Sequence, residues 1–207
     1  MSVSPESVSQ LLASDDFGDR LRAVNQIRQL EQATAFELIQ QAAADRNVRV
    51  RYAAVSQFSS LGHQNREVSL KLLRDCLLQD SESDVQAAAA DSIGALKLTE
   101  AFDDLKQVYE TTSEWLVKFS IVAALGELGD RRSFTLLEDA LNSTVDLIQA
   151  AAIGALGELG DPRAVPLLIP YISHPDWQVR FRTAKALGLL GSSEARPALE
   201  SLLEDPV

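Results

Sequence analysis

The sequence predicts an all-α fold: a right-handed α-solenoid of about six helix pairs, closed by a C-terminal half repeat. Three observations predict it. The nine residues VAALGELGD at Val122–Asp130 return as IGALGELGD at Ile153–Asp161, 31 positions later. With Leu125 and Leu156 as anchors, the same place falls at Ile27, Phe58, Ile93 and Leu187, at intervals of 31, 35, 32, 31 and 31 residues. A period of this length is the signature of stacked helical repeats. From the second copy on, offsets −8, −4, 0 and +3 from the anchor carry a largely apolar frame, and these offsets share one face of a helix. Abundant alanine and leucine, with aromatics at 6%, also favour helix. One helix pair has no partner for its apolar face, so stacked neighbours supply the core.

The elements follow in order. The first copy, residues 4–31, holds RLRAVNQIRQL, lacks the later glycines and is the least regular, as a terminal repeat is. The second, 34–62, reads FELIQQAAA, then a longer helix through Val50, Ala54, Val55, Phe58 and Leu61. The third, 66–98, reads VSLKLLRDCLL, then Val85, Ala89, Ala90, Ile93 and Leu96. The fourth, 100–129, reads FDDLKQVYE, then Val117, Ile121, Val122, Leu125 and Leu128. The fifth, 131–160, reads SFTLLEDAL, then Ile148, Ala152, Ile153, Leu156 and Leu159. The sixth, 162–191, reads AVPLLIPYI, then Val179, Thr183, Ala184, Leu187 and Leu190. Residues 193–207, ending in ALESLLEDPV, form a partial cap. No Gly-, Ser- or Pro-rich linker divides the copies, so a single domain over 1–207 is expected.

Glycine marks the ends and the seams. Gly62, Gly129, Gly160 and Gly191 stand just past the longer helices, where a left-handed residue closes a helix. Asp161-Pro162 reads as the N-cap and first turn of the next helix. Gly94, Gly126, Gly157 and Gly188 directly follow the anchors. Inside a helix glycine costs about 1 kcal/mol against alanine, so these are read as places where a neighbouring helix comes close.

Composition excludes several functions. Lys and Arg number 19 against 30 Asp and Glu, a net charge of −11 that repels phosphate backbones, so no nucleic-acid partner is expected. The opening MSVSPESVSQLL has no basic stretch before an apolar run, so no signal peptide is expected. No 18-residue apolar segment is present, so no membrane insertion is expected. Cys76 is the single cysteine, which excludes an intramolecular disulfide and fits a reducing cytoplasm. It is read as an inert thiol in an apolar helix stripe. His63 and His174 fall in turns and build no metal site, so no metal is expected. No Ser-His-Asp order, phosphate loop or carboxylate-pair signature marks a catalytic centre.

Candidate function lies where the copies differ. Six residues before the anchor stand Tyr52, Phe119 and Phe181; ten before it stand Trp115 and Trp177, the chain's two tryptophans. These offsets lie off the buried stripe. Trp115/Phe119 and Trp177/Phe181 are i, i+4 pairs, which makes an aromatic surface on the inner, concave side. Such a surface suits a flat apolar ligand or a partner helix; the alternative is that the tryptophans pack over inter-repeat turns. Seven before the anchor stand Arg20, Arg51, Lys118 and Arg180, with Gln86 and Gln149 between. Eleven before it stand Asp16, Asn47, Glu82, Glu114 and Asp176, read as helix caps beneath a ladder of cations. Arg46, Arg49 and Arg51 crowd one helix start, and Arg180, Arg182 and Lys185 another. Arg49, Arg51, Arg180 and Arg182 are the candidates for holding ligand carboxylates. Asp176 and Glu114, beside the tryptophans, are the candidate proton carriers, with capping as their alternative role.

DPRAVPLLIPYISHPDWQVRFRTAKALGLLG, Asp161–Gly191, resembles the HEAT-like repeat of the E/F-type phycobilin lyases. Together FGDRLRAVNQIRQL, NVRVRYAAVSQFSSLG, DVQAAAADSIGALKLTEAFDDL and TSEWLVKFSIVAALGELGD resemble the NblB family of phycobilisome degradation proteins, related to those lyases. The resemblance implies phycobiliprotein partners, phycocyanin or allophycocyanin subunits, alongside other degradation factors. It implies a cytoplasmic place near thylakoid-attached phycobilisomes. It implies a phycocyanobilin-type linear tetrapyrrole as ligand or substrate, with no built-in cofactor. A linear tetrapyrrole is long, flat and apolar with two propionates, which suits an aromatic face flanked by arginines. Two readings stand: a lyase-like protein that detaches or transfers the chromophore, which the resemblance favours, and a non-catalytic adaptor that binds phycobiliproteins and recruits degradation machinery. A helical-repeat scaffold of another pathway is the third.

Overall fold

The computed structural model describes residues 3–205 and 207. Among them it places thirteen α-helices, short turns and 3₁₀ segments, and no strand. The all-helical architecture is the one the period predicts. The chain divides into two compact units, Met1–Val108 and Tyr109–Val207.

The first unit holds α1 (Pro5–Leu12), α2 (Phe17–Ile27), α3 (Gln32–Ala42), α4 (Val48–Leu61), α5 (Arg66–Gln79), α6 (Ser83–Ala95) and most of α7 (Phe102–Thr111). Within it α2 packs on α4 and α4 on α6. The anchors Ile27, Phe58 and Ile93 are fully buried, with Val50, Val55, Val85 and Ala89. Each large aliphatic side chain so buried contributes about 1.5–3 kcal/mol. Phe36 of α3 meets Phe58 edge to face, ring centroids 5.9 Å apart. The repeat pattern does not locate α1; Ser4 caps it by accepting the Ser7 N–H, with Pro5 in its first turn. Gly62 departs from expectation. Its φ is −64°, and a 3₁₀ turn, Gly62–Gln64, follows. The Ser69 hydroxyl donates to the Gly62 carbonyl at 2.9 Å, which satisfies that helix end without a left-handed residue.

The second unit holds the end of α7, then α8 (Trp115–Leu128), α9 (Phe134–Ala140), α10 (Asp146–Leu159), α11 (Ala164–Leu168), α12 (Trp177–Leu190) and α13 (Arg196–Ser201). Here α10 packs on both α8 and α12. Leu125, Leu156 and Leu187 are fully buried. Gly129, Gly160 and Gly191 close their helices at φ of 68°, 69° and 62°, as expected. Asp161 does not cap α11. It accepts the Arg163 N–H at 3.0 Å in a turn, and α11 begins only at Ala164. The helix then ends at Leu168, and Pro170, which has no N–H to donate, lies in a 3₁₀ segment, Ile169–Ser173.

The seams of the second unit account for two glycines and not a third. A Cβ on Gly126 would lie 2.6 Å from Ala155 Cα, and one on Gly157 2.6 Å from Ala186 Cα. No real Cβ sits so close, so these glycines let α8 meet α10 and α10 meet α12. Gly188 holds the same place in α12, yet a Cβ there would meet nothing within 4 Å. Close helix approach is therefore not the reason for Gly188, because nothing lies against it among the described residues. Gly154, three residues before Gly157, is open in the same way.

Candidate functional site

The positions seven before each anchor hold turns together. Arg20 donates to the Asp45 carboxylate at 2.6 and 3.0 Å and to the carbonyls of Ser14 and Asp15, both at 2.9 Å. Arg51 does the same with Asp80, at 2.7 and 2.9 Å, and the Asp45 carbonyl, at 3.0 Å. Arg180 pairs with Asp205 at 2.5 and 2.9 Å and donates to the His174 carbonyl at 2.9 Å. Gln86 and Gln149 reach carbonyls of Asp80 and Leu141. Lys118 lies 5.3 Å over the Tyr109 ring. Arg51 and Arg180, expected to face a ligand, are thus committed within the fold. Their guanidinium forks are filled by an aspartate 29 and 25 residues further on.

The aspartates are equally engaged. Asp45, Asp80 and Asp205 accept the N–H of the residue two places later, Asn47, Glu82 and Val207. Burial works to raise the Asp45 and Asp80 carboxyls, but the arginine and backbone donors outweigh it and hold both below the usual carboxylate range. For Asp205 the Arg180 hydrogen bond is the main cause of the same depression.

The aromatic positions are exposed. Trp115 is 49% exposed, Trp177 50%, Phe181 64% and Tyr52 48%, while Phe119 is half-buried. The tryptophans do not pack away over turns. On α12, Trp177, Phe181 and Arg182 line one cleft of about 470 Å³ with Gln178 and Lys185. A second cleft of about 230 Å³ lies against the same two aromatics, walled by Ala184 of α12 and by Leu202 and Val207 of the C-terminal cap. Trp115 and Phe119 on α8, and Tyr52 and exposed Arg49 on α4, line neither. Sequence reading missed Gln178, Leu202 and Val207. The i, i+1 relation to Trp177 offers a signal for the first; the cap residues carry none, since chain return decides their place.

Of the proton-carrier candidates, Asp176 caps α12, its Oδ1 accepting the Gln178 N–H at 2.8 Å. Asp16 and Asn47 cap likewise. Glu82 and Glu114 do not, contrary to expectation. Asp80 and Thr112, two residues earlier, accept the Glu82 and Glu114 N–H groups and organise those helix starts instead. The Glu114 side chain is left exposed.

Other chemistry is sparse. A cleft of about 600 Å³ in the first unit is lined by Ala43, Ala44, Val68, Leu72 and Cys76. Cys76 is half-buried rather than buried, and its burial, then Asp80 and Asp75, pushes the thiol up to about 11. It is protonated at neutral pH and no nucleophile. Tyr109 donates to Asp139 at 2.9 Å; burial and that bond raise its hydroxyl. His63 lies in a 3₁₀ turn, and His174 accepts the Asp176 N–H. Among the described residues no group of three or more His, Cys, Asp or Glu is placed to hold a metal ion, and no helix is long and apolar enough to cross a membrane.

A family model described as HEAT repeats matches residues 5–93, 70–152 and 140–207. No curated protein matches the chain. Among solved structures, a chain of the complex of CpcE and CpcF of phycocyanin lyase from Nostoc sp. is similar at 25% identity and TM-score 0.69, over 96% of this chain and 81% of that one. An Escherichia coli protein, YibA, is similar at 16% identity and TM-score 0.69, over 96% and 74%. A designed armadillo repeat protein in complex with the peptide (KR)4 is similar at 20% identity and TM-score 0.63, over 91% and 100%. The last two likenesses speak for the α-solenoid fold alone.

Proposed function

The chain belongs to the HEAT-repeat family, and from that premise we propose that it is a phycobilisome degradation factor of NblB type. It binds phycobiliproteins, phycocyanin or allophycocyanin, in the cytoplasm beside the phycobilisome and detaches or transfers their linear tetrapyrrole. The likeness to a phycocyanin lyase chain supports the partner class. One observation carries the site: both tryptophans stand half exposed, and Trp177 shares a cleft with Phe181 and the cation Arg182. Large apolar side chains left half in water point to something that covers them.

Detachment is elimination. A base takes the proton on the carbon next to the thioether carbon, a C=C bond forms, and the C–S bond breaks to release the cysteine thiolate, which then takes a proton. The protein's part is to hold the chromophore in a reactive conformation and to relay protons. Glu114, exposed beside Trp115, is the carboxylate free for that relay. One observation favours the adaptor reading: Asp176, the other candidate, is occupied as a helix cap.

The test mixes the purified protein with chromophore-bearing phycocyanin and follows absorbance and fluorescence, then reads covalent bilin on denaturing gels. Loss of covalent bilin, reduced in Trp115→Ala/Trp177→Ala, is the expected result. Binding with all bilin retained makes the protein an adaptor. Absence of both binding and release removes the proposal.

A further inference from the structure

We propose that the α12 end of this face is a seat for an acidic segment of the partner protein, with Arg182 and Lys185 taking its carboxylates and Trp177 and Phe181 its apolar side chains. The inference rests on the reading that this face binds a protein, and names what part of that protein it takes.

Among the described residues, an unpaired cation at both of two positions is particular to the sixth repeat; the first copy carries Arg22 five before its anchor, but Arg22 pairs with Asp19 and Asn25 stands two before the anchor. Five residues before the anchor, the second to fifth copies carry Ala53, Ala88, Ser120 and Ala151, and the sixth carries Arg182. Two before it they carry Ser56, Asp91, Ala123 and Gly154, and the sixth carries Lys185. Arg180 on the same helix is spent on Asp205. Arg182 and Lys185 are exposed, and among the described residues neither makes an ion pair. Two uncompensated cations on adjacent turns are conspicuous in a chain of net charge −11, and they stand beside half-exposed aromatics in a cleft of about 470 Å³. An acid placed there gains charge-assisted hydrogen bonds with no competing internal acid.

The aromatic pair on α8 lacks this chemistry. Lys118 lies over the Tyr109 ring, and the exposed charge beside Trp115 is Glu114. An acidic segment is therefore drawn to α12 and turned away from α8. On α10, which packs against α12, the place of Lys185 is taken by Gly154, whose Cβ position is open space.

Trp115→Phe makes Trp177 the only tryptophan and a local reporter. In this background the full chain is titrated with chromophore-free and chromophore-bearing phycocyanin, following Trp177 emission and affinity. The expected result is that Arg182→Glu/Lys185→Glu weakens binding of both forms about tenfold or more, while Arg28→Glu/Lys71→Glu, an equal charge change elsewhere, leaves it within about twofold. Circular dichroism confirms that each variant is folded. If the double reversal binds like the control pair, the acidic seat is wrong. Loss of binding in Trp177→Ala, which has no reporter in this background and is read by calorimetry, in that case leaves the broader face intact. Charge dependence seen only with the chromophore-bearing form also overturns the proposal, since the carboxylates are then the chromophore's. No binding by the unaltered chain ends both readings.

Discussion

Replacing Gly126 by alanine sets two effects of known sign against each other. Alanine relieves about 1 kcal/mol of helix-propensity cost at any mid-helix glycine. At Gly126, however, the new methyl lands 2.6 Å from Ala155 Cα and 2.7 Å from its Cβ. Carbon atoms rest at roughly 3.5–4.0 Å, so α8 and α10 must separate by about 1 Å along the seam. The atoms it meets are the backbone and Cβ of Ala155, with no flexible end to swing aside. Overpacking of this kind costs about 1–3 kcal/mol, and a backbone clash belongs at the upper end. The net expectation is a loss of about 2 kcal/mol, or a melting midpoint about 4–8 °C lower in a chain of this size. Gly157→Ala, which meets Ala186 at the same distances, should match it. Gly154→Ala and Gly188→Ala have open space and should gain up to about 1 kcal/mol. Thermal and urea unfolding followed by far-ultraviolet circular dichroism measures all four. A Gly126→Ala protein as stable as the parent, or a Gly154→Ala protein less stable, refutes the reasoning.

Asp80→Asn should cost about 1–2 kcal/mol, because it leaves the half-buried Arg51 fork without its charged acceptor; a Trp177→Ala control, altering an exposed side chain, should stay within about 1 kcal/mol by the same unfolding assay. The folded-state carboxyls of Asp45, Asp80 and Asp205 lie below their unfolded values, so their contribution is full above the ordinary carboxylate pKa and drains away as pH falls through the folded values. Stability against pH should therefore drop on the acid side, and Arg51→Met should make that limb shallower. The Cys76 thiol, at about 11 against an ordinary 9.0, should react with iodoacetamide near pH 8 roughly a hundredfold more slowly than the urea-unfolded chain; equal rates by mass spectrometry contradict the burial that shifts it.

The helical period and the apolar frame by themselves determined the solenoid class, the six anchors and the left-handed glycines at Gly129, Gly160 and Gly191. These follow from local rules: a 3.6-residue face must be buried, and a helix end with no intrahelical partner takes the residue that turns cheaply. The offsets of Trp115 and Trp177 leave the buried stripe, which left exposure and packing over a turn both open; the structure decides for exposure. What tertiary structure alone decided concerns partners remote in sequence. Arg51 and Arg182 look alike as cations near a helix start, yet one is filled by Asp80, 29 residues on, and the other meets no acid among the described residues. Gly157 and Gly188 occupy the same register, yet among the described residues a helix lies against Gly157 and nothing lies against Gly188. Composition and spacing set what a residue is able to do. Which neighbour the next repeat brings within hydrogen-bond or van der Waals range decides whether that capacity is spent inside the fold or left for a partner, because both forces vanish within a few ångströms.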